Sequence, residues 1–512
     1  MTVRTIYPKN QATGTGNDTD TFIAAHAACN PGDTILMKAV AQGTSTPTPW
    51  MIAKPHGQGA DLPIYLPNNE SFLWYQDWMQ THLTQTTECL AIDRNVTVRG
   101  EVDGEGKPIT VLRQFGSYED FSSWWAGANV YVSNLFVLQK NVHPRFENLK
   151  IQYSSNPFIL LMPFDVVNCE FDGVGEALNP VLDDRYVFPH LQLDPSNFSD
   201  MQTTLIKDCV FKRCYYCMYG IGSGIVLEGC SLAGADAIAG GVGAYFIGMS
   251  NAVSIFSGGV VPPNKHVSRY AKYNICRNNN FDFGGNDLGW IATLGFWGDG
   301  NISGDGICED NEMYGNEISN LAGFGLECFA ANRGINRRNS VYDNTMTRVQ
   351  CPIDCYGMTD DFGNVTMPTD NMFTNNTIID VLHAPEGSNW GSKSPGFLMY
   401  QSRNCQTVKN DWTQSQLPPL SNTVGTYESG MALDGAQSCV ISESGKWPVG
   451  QGGTINFVTD INGYKNRIVG GKASGAERPA GIGKYMSSKF KQGRDLILAK
   501  KHGKGKPAAL SI

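Results

Sequence analysis

Two carboxylates stand in matching positions of two short stretches of the chain. The stretch "GLECFA" contains Glu327 and the stretch "PIDCYG" contains Asp354, each between an apolar residue and a cysteine. Because side chains alternate between the two faces of a strand, Leu326 and Ile353 are predicted to point inward and the two acids outward, into solvent. If the two strands are neighbours, about 4.8 Å apart, the carboxylates lie side by side. Their repulsion then requires a bound cation, a shared proton or a nearby arginine.

Further acids, arginines and tryptophans surround these two carboxylates in the sequence. They are Asp287, Trp290, Trp297, Asp299, Arg333, Arg337, Arg338, Asp360 and Asp361. No other part of the chain is as rich in such side chains, so we predict that the functional surface lies between residues 280 and 361. The alternative is that these outward polar residues only keep the strands soluble.

The sequence around the acids is built from a repeated phrase. The stretches "NICRNNNF", "NEMYGNEI", "NSVYDNTM" and "NMFTNNTI" each place one asparagine five residues before another. Their first asparagines, Asn274, Asn311, Asn339 and Asn371, are separated by 37, 28 and 32 residues. Weaker copies begin at residues 147, 167, 207 and 228, and "KNDW" at 409 closes the series. A period of this size indicates stacked supersecondary units.

Each unit contains short stretches of alternating polarity separated by Gly, Asn and Asp. Alternation predicts half-buried strands, and the punctuation predicts turns. Sustained helical periodicity is missing between them, which disfavours leucine-rich and βαβ repeats. The pattern is typical of a right-handed parallel β-helix. The asparagines are then predicted to take the left-handed conformation at the corners and to bond from coil to coil. Cys169, Cys209 and Cys230 are predicted to form an internal stack.

The N-terminal stretch "NDTDTFIAAHAACNPGDTILM" indicates the same fold. An aspartate cap precedes an apolar-faced helix that ends at Asn30-Pro31, and Thr34 to Met37 is predicted to be a strand. A short helix is expected to close the end of a solenoid, because the first coil otherwise exposes its core. Here the chain resembles the pectate-lyase-like superfamily, over about residues 15–40 and 90–410. The resemblance implies an all-β, right-handed parallel β-helix with an N-terminal capping helix and loop insertions.

Four regions are predicted along the chain. Residues 1–40 are the N-terminal cap and first strand, 41–90 an aromatic-rich insertion, 91–410 the coils, and 411–512 a C-terminal extension with a basic tail. A smaller insertion with the stretch "SYEDFSSWW" is predicted within residues 116–127. The end of the tail is rich in lysine and glycine and is expected to lie at the surface.

The resemblance also implies a protein that binds or cleaves polysaccharide along one parallel sheet. The leading hypothesis is a polysaccharide lyase that cleaves a uronic-acid polymer by β-elimination. In it, Ca²⁺ held by Glu327 and Asp354, or an arginine, neutralises the uronate. Arg333 removes the C5 proton, since "LECFAANR" is similar to lyases with a basic residue one turn after an acid-bearing strand. The predicted substrate-binding residues are Trp290, Trp297, Asp287, Asp299, Arg337, Asp360 and Asp361.

Three alternatives stay open. In a glycoside hydrolase, Glu327 and Asp354 serve as the acid and as the nucleophile or base. The chain lacks the "GHG", "NTD" and "RIK" motifs of polygalacturonases, which argues against the pectin-cleaving version of that hypothesis. A non-catalytic polysaccharide binder or tailspike-like fibre requires neither acid. The third alternative is an intracellular isomerase or cyclase that acts on a small substrate.

Composition and charge limit the partners and cofactors. The 512 residues carry a formal net charge of −9, which argues against nucleic acid as the main partner. No stretch reaches the roughly 18 apolar residues of a membrane span, so no membrane partner is expected. The expected ligand is a polysaccharide or a small molecule, bound by a monomer or a homotrimer. Ca²⁺ is the cofactor that the lyase hypothesis allows. No phosphate-loop or dinucleotide motif is present, so no nucleotide cofactor is expected, and no redox cofactor is expected either.

Cysteine usage and the N-terminal residues bear on the compartment. The 14 cysteines are scattered rather than paired, and most are predicted to be buried thiols. The first twenty residues show no apolar segment typical of a signal peptide. The protein is therefore expected either to stay in the cell or to be secreted with its signal removed.

Overall fold

The computed structural model describes the helical cap and most of the predicted coils. The described residues are 1–9, 18–52, 90–127, 136–138, 142–154, 158–160, 163–174, 176–180, 203–214, 216–234, 242–249, 270–284, 292–299, 306–331, 333–359, 364–381, 397–413, 429–442, 456–461 and 464–468. They are mostly strands, with the helices Thr19–Ala27 and Tyr118–Gly127. Neither of these helices is long and apolar enough to cross a bilayer.

One parallel sheet, sheet A, runs from the first strand to the last. Its 14 strands in the described part of the chain are Val3–Ile6, Thr34–Met37, Thr97–Arg99, Arg145–Glu147, Asp165–Val167, Thr204–Lys207, Ile225–Glu228, Ile275–Arg277, Glu312–Tyr314, Ser340–Tyr342, Met372–Thr374, Gln406–Val408, Val440–Ser442 and Arg467–Ile468. Each strand pairs with the next in chain order. Central residues such as Val98, Phe146 and Val166 pair in register and are fully buried. One short strand per coil thus builds a continuous core.

A second sheet, sheet B, contains two ladders of strands that meet in two long strands. Its 22 described strands are Trp50–Met51, Leu90–Ile92, Thr110–Arg113, Phe136–Leu138, Leu149–Ser154, Phe158–Leu160, Glu170–Val174, Glu176–Pro180, Val210–Lys212, Tyr216–Ile221, Ser231–Leu232, Val242–Met249, Asn280–Asp282, Ala292–Asp299, Glu317–Ala331, Thr345–Thr359, Val365–Thr366, Thr377–Ile379, Phe397–Tyr400, Asp411–Thr413, Ser429–Asp434 and Asn456–Ile461. Glu317–Ala331 and Thr345–Thr359 are each 15 residues long and pair in the first ladder with their N-terminal halves. Their C-terminal halves pair in the second ladder.

The third sheet, sheet C, completes the coil. Its strands in the described residues are Tyr270–Lys272, Ile307–Glu309 and Ile335–Arg337. A coil passes through sheets C, A and B in turn, and the same strands of the next coil pair with it in parallel. Crossovers between parallel strands are right-handed in nearly all proteins. The predicted right-handed parallel β-helix is confirmed.

The helix Thr19–Ala27 caps the start of the solenoid, as predicted. Its buried Phe22 lies against Phe136, with ring centroids 6.4 Å apart. Asp18 occupies the N-cap position, but its side chain does not bond the helix. Its carboxylate instead accepts hydrogen bonds from the backbone N–H groups of Lys9 and Met51, at 2.7 and 2.8 Å. The predicted cap residue therefore ties the N-terminal segment to sheet B.

The repeated asparagines form the predicted ladder along two corners of the coil. The two buried columns are Asn274, Asn311, Asn339 and Asn371, and Asn279, Asn316, Asn344, Asn376 and Asn410. In the first column, Asn311 Nδ2 donates to Asn339 Oδ1 at 2.8 Å, and the same oxygen accepts the backbone N–H of Asn311 at 3.1 Å. Asn339 Oδ1 thus accepts hydrogen bonds from both the backbone N–H and the side-chain amide of Asn311. Buried backbone polar groups require such partners.

The ladder asparagines do not themselves take the left-handed conformation that was predicted for them. That conformation belongs to the preceding residue, with φ of +55° at Arg338 before Asn339 and at Asp343 before Asn344. The preceding residue turns the chain, so the asparagine side chain is free to point into the coil and bond its neighbours. The predicted ladder is correct, and its predicted backbone conformation is wrong.

Asn279→Ala is expected to lower the free energy of unfolding by about 2–4 kcal/mol, because it leaves buried polar groups without partners. Asn279 Oδ1 accepts the backbone N–H of Cys230 at 2.9 Å, and its Nδ2 donates to Asn316 Oδ1 at 2.8 Å. The neighbouring Asn280 is exposed, so Asn280→Ala is a matched control expected to change stability by less than about 0.5 kcal/mol. Denaturant unfolding measures both variants, and equal effects would argue against a stabilising ladder.

All 13 cysteines of the described residues are free and buried. Cys169, Cys209 and Cys230 lie at matching positions of successive coils. For example, the backbone N–H of Ser231, which follows Cys230, donates to the carbonyl of Cys209 on the preceding coil at 2.9 Å. The predicted interior thiols are confirmed. Burial raises the pKa of the Cys169 and Cys209 thiols well above its ordinary value.

These buried thiols are expected to resist alkylation in the native protein, because the thiolate is the reactive form and burial disfavours it. Iodoacetamide treatment at about pH 8, followed by peptide mass spectrometry, measures the labelled fraction of each cysteine. Cys169 and Cys209 are expected to react only after denaturation. Rapid labelling of either thiol in folded protein would contradict their placement inside the solenoid.

The coils extend beyond the predicted boundary at residue 410. Parallel pairing continues through Val440–Ser442 to Arg467–Ile468. The repeated phrase weakens there because Cys405 and Cys439 take ladder positions, although Asn466 again bonds the backbone N–H of Cys439 at 3.0 Å. The C-terminal extension therefore begins as solenoid. Residues 469–512, which include the basic tail, lie outside the described residues.

The two predicted insertions have different outcomes. Most of residues 41–90, from 53 to 89, lies outside the described residues, whereas Trp50–Met51 already pairs as a strand of sheet B. The insertion within residues 116–127 forms the helix Tyr118–Gly127, which the search for helical periodicity missed. Its Phe121 is fully buried against Phe115, with ring centroids 5.9 Å apart.

Candidate active site

Glu327 and Asp354 lie side by side on adjacent strands of sheet B. They belong to the two 15-residue strands and are paired with each other in the parallel register. The preceding residues Leu326 and Ile353 also pair and are fully buried in the core. The predicted register of the two acids and the inward direction of their apolar neighbours are confirmed.

The two carboxyl groups do not face solvent as predicted. Glu327 is 6% exposed and Asp354 is 1% exposed. Large rings stand two positions further along the same strands, at Phe329 and Tyr356, and therefore on the same face of the sheet. The rings therefore stand beside the acid pair on that face of the sheet. The burial of both acids is the largest difference from the prediction.

The rings form an aromatic column along the solenoid. It consists of Trp297, Phe329, Tyr356 and Tyr400, one from each of four successive strands. The centroids of successive rings are 5.2, 5.7 and 4.8 Å apart. The pair Tyr356 and Tyr400 is nearly parallel, at 14°. Phe329 and Tyr356 are also stacked, at 24°, whereas Trp297 is tilted by 56° to Phe329, and the column forms a wall beside the acids.

Trp297 makes the direct contact between this wall and the acids. Its Nε1–H donates a hydrogen bond to Glu327 Oε2 at 2.5 Å. Burial raises the pKa of Glu327 to about 7, and the bond from Trp297 opposes that rise. Indole nitrogen is only a donor, so it favours the ionised form of the carboxyl group.

Asp354 lacks such a donor. Neither of its carboxylate oxygens has a hydrogen-bond partner among the described residues, although the side chain is almost completely buried. Burial and the neighbouring Glu327 carboxylate raise the pKa of Asp354 well above its ordinary value. An unpartnered buried carboxyl group is costly for a folded protein, and such groups concentrate at functional sites.

The pair is therefore arranged to hold a proton at neutral pH. Two carboxylates in register repel each other, and both have raised pKa values. Of the three compensations that the sequence suggested, a proton bound to one of the two acids agrees with these contacts. Asp354 is the better holder of that proton, because Glu327 accepts a side-chain hydrogen bond that stabilises its charge and Asp354 accepts none from the described side chains. Burial and the neighbouring Glu327 outweigh the Cys355 backbone N–H, which favours the charged form of Asp354. Pairs whose environments differ in this way supply an acid and a base in many enzymes.

Arg333, the predicted base, is not brought to the acids. It is exposed in the turn after the strand Glu317–Ala331, with φ of +70°, and its backbone N–H donates to Thr366 Oγ1 at 2.9 Å. Glu327 lies four residues before the end of that strand, a distance of about 13 Å along it. Arg333 lies beyond that end.

Arg337 belongs to sheet C and has another partner. Its Nε donates to Glu309 Oε2 at 2.5 Å, and Arg338 Nη2 donates to the same oxygen at 2.6 Å. Lys272 also pairs with Glu309, which is 2% exposed. These contacts form an ion cluster on sheet C, so the structure brings Arg337 to Glu309 rather than to Glu327.

Of the remaining predicted binding residues, Trp297 is the one that the structure places at the acids. Asp287, Trp290, Asp360 and Asp361 lie outside the described residues. Asp299 ends the strand Ala292–Asp299 in register with Ala331, and its side chain is not described. The binding roles predicted for these residues stay predictions.

The two carboxyl groups by themselves do not fit the predicted Ca²⁺. The ion takes six to eight oxygen ligands, and Glu327 and Asp354 are buried beside aromatic rings. Among the residues that the structure describes, no group of three or more His, Cys, Asp or Glu side chains could hold a metal ion. The involvement of Ca²⁺ stays a prediction.

Several residues of the site were missed in the sequence. They are Tyr245, Gly295, Phe329, Tyr356 and Tyr400. The signal for Phe329 and Tyr356 stands in the stretches "ECF" and "DCY", where an aromatic residue follows each acid by two positions. Two residues along a strand return to the same face, so each acid could have been assigned an aromatic neighbour.

Comparisons with known proteins find similar solved structures but no similar sequence. No family model and no curated protein sequence matches the chain. A tailspike protein of bacteriophage CBA120 is similar in structure with a TM-score of 0.39 and 9% identity, over 89% of this chain. The chain spans 60% of the length of that tailspike.

Two further solved structures are similar over more of their own length. A surface adhesin of Streptococcus pneumoniae matches with a TM-score of 0.41 and 8% identity, over 93% of this chain and 96% of the adhesin. A family 28 exopolygalacturonase of Yersinia enterocolitica matches with a TM-score of 0.39 and 10% identity, over 93% and 79%. The fold rests on the strand pairings of the chain itself, which are those of a parallel β-helix.

Proposed function

We propose that this chain is a carbohydrate-active enzyme, a glycoside hydrolase whose catalytic carboxyl groups are Glu327 and Asp354. The observation that carries the proposal is the buried, in-register carboxyl pair, in which one member is held by Trp297 and the other has no described partner. Paired carboxyl groups with different proton affinities are the equipment of glycoside hydrolysis.

The contacts assign a role to each acid. Asp354 holds the proton and gives it to the glycosidic oxygen as the bond from the anomeric carbon to that oxygen breaks. Glu327, charged and fixed by Trp297, attacks the anomeric carbon and forms a glycosyl ester. Asp354 then takes a proton from water, whose oxygen displaces Glu327. Adjacent strands are about 4.8 Å apart, close to the roughly 5–5.5 Å carboxyl separation of retaining enzymes, so we propose retention.

The β-elimination that leads the sequence-based hypotheses has less support from the described contacts. A lyase requires a base near the C5 proton, and Arg333 lies beyond the end of the strand that carries Glu327. It also requires a charge that neutralises the uronate, whereas Glu327 and Asp354 bring negative charge. The non-catalytic binder gives no reason for a buried carboxyl group without a described partner, and an isomerase that used the same pair has no further contact of the described residues in its support.

The test is to identify the product formed from a panel of neutral and uronate-containing polysaccharides, with and without EDTA. A hydrolase releases reducing ends without ultraviolet-absorbing product, is insensitive to EDTA, and yields a product whose first-formed anomer has the configuration of the substrate, measured by proton NMR. An EDTA-sensitive rise in ultraviolet absorbance would instead establish β-elimination. Binding without any product across the panel would favour the non-catalytic alternative.

A further inference from the structure

The indole of Trp297 is clamped between two rings. Its centroid lies 4.1 Å from that of Tyr245 on the preceding strand and 5.2 Å from that of Phe329 on the following strand. The clamp leaves the indole half-buried, with its N–H directed at Glu327 Oε2. These ring contacts, tilted by 35° and 56°, restrict rotation of the indole away from its acceptor.

A glycine provides the space for this arrangement. Gly295 lies in register between Tyr245 and Glu327. A Cβ atom at Gly295 would come within 2.8 Å of Tyr245 Cδ1 and 3.0 Å of Trp297 Nε1. Because carbon atoms do not approach so closely, any side chain at this position would displace one of the two rings. The missing side chain is therefore what lets the indole nitrogen reach the acid on the next strand.

We propose that Trp297, seated over Gly295, is a positioning residue that fixes Glu327 as the charged member of the acid pair. The inference rests on the proposed hydrolysis and adds to it the device that separates the two roles. Trp297 acts through Glu327 and not on the sugar, because its hydrogen bond goes to Glu327 Oε2 and leaves Oε1 to attack the anomeric carbon.

The groups around Glu327 explain why one hydrogen bond can decide the role. Among the described residues, the titratable groups near Glu327 are Asp354 and Tyr356 on the following long strand, Cys328 on its own strand and Cys351. Each of these groups becomes neutral or negative, so none stabilises a charged Glu327. The Trp297 N–H is the contact that stabilises the charge of Glu327. Without it, Glu327 and Asp354 compete more evenly for the proton.

The experiment compares Trp297→Phe and Gly295→Ala with the unsubstituted protein and with Trp412→Phe, which removes a buried indole from elsewhere in sheet B. In the substrate-free protein, infrared difference spectra against Glu327→Gln follow the protonation of Glu327. Both site variants are expected to raise its pKa above the value of about 7, and Trp412→Phe to leave it unchanged. Melting temperatures confirm that each variant is folded.

Kinetic measurements distinguish a failure of the positioning role of Trp297 from a failure of the proposed hydrolysis. Trp297→Phe is expected to lower kcat by about 10–100-fold with little change in KM, and to move the acidic limb of the pH profile upward. An unchanged Glu327 titration in both folded variants would overturn the positioning role, even where Glu327→Gln abolishes activity. Full activity in Glu327→Gln would instead overturn the proposed hydrolysis itself.

Discussion

Glu327→Gln and Asp354→Asn are each expected to lower kcat by about 10²–10⁴-fold, the range over which a positioned acid or base accelerates proton transfer. Both substitutions keep the size of the side chain and remove its titration. Glu327→Gln can still accept the Trp297 hydrogen bond through its amide oxygen. A loss in this variant therefore reports the missing charge rather than a displaced side chain.

Glu317→Gln is the matched control for these variants. Glu317 lies on the same strand as Glu327 but is exposed and pairs with Thr345 in the first ladder of sheet B. Its substitution is expected to leave kcat within about two-fold, since surface changes away from a site have small effects. The double variant is expected to be little worse than either single one, because the two acids act in one step. Additive losses would mean that the acids act independently.

The fold could be predicted because the sequence repeats the contacts that hold it. An asparagine at a fixed distance from another, as in Asn339 and Asn344, requires a partner on the neighbouring coil, and short strands between turns leave few other architectures. The end of the coils was less legible. Cysteines replace asparagines at Cys405 and Cys439, and a thiol inside a solenoid looks like any other buried cysteine.

The register of the acids was predictable, whereas their burial was not. Strand alternation determines the face on which Glu327 and Asp354 stand, but the exposure of that face depends on what covers it. Phe329 and Tyr356 each follow one of the acids by two positions. Trp297, in contrast, comes from a strand 30 residues away and reaches Glu327 only through the space over Gly295. Side-chain contacts between coils of unequal length, such as the one from Trp297 to Glu327, cannot be predicted from one sequence.

The position of Arg333 differs from the prediction for a related reason. Arg333 follows Glu327 by six positions, which predicts one short strand and one turn between them. The strand actually continues to Ala331, as part of a single 15-residue strand from Glu317. A strand rises about 3.3 Å per residue, so each extra strand residue moves Arg333 further from Glu327. Distances along a β-helix depend on where strands end, which turn residues predict only loosely.

Glu327→Gln is also expected to be more stable than the unsubstituted protein at about pH 8, by about 2–3 kcal/mol. The pKa of Glu327 is about 7 in the folded protein and 4.5 as an ordinary glutamate. Between these values the folded state binds more protons than the unfolded state, so stability falls as the pH rises. The stability that comes from the proton on Glu327 is fully lost above about pH 7, where Glu327 is charged in its buried position.

The sign of this effect distinguishes a functional pair from a structural one. Denaturant unfolding at several pH values between about 4.5 and 8 is expected to show that the free energy of unfolding of the variant rises relative to that of the unsubstituted protein as the pH rises. Burial lowers the pKa of His26, whose effect on stability has the opposite sign, but His26 is present in both proteins and its effect cancels in their difference. The amide of the variant can also donate to Asp354, which otherwise has no described partner. A variant that is both inactive and more stable would mean that the acid pair is maintained against the stability of the fold, which is the relation expected of catalytic groups. A variant less stable at every pH would assign the pair to the framework of the β-helix.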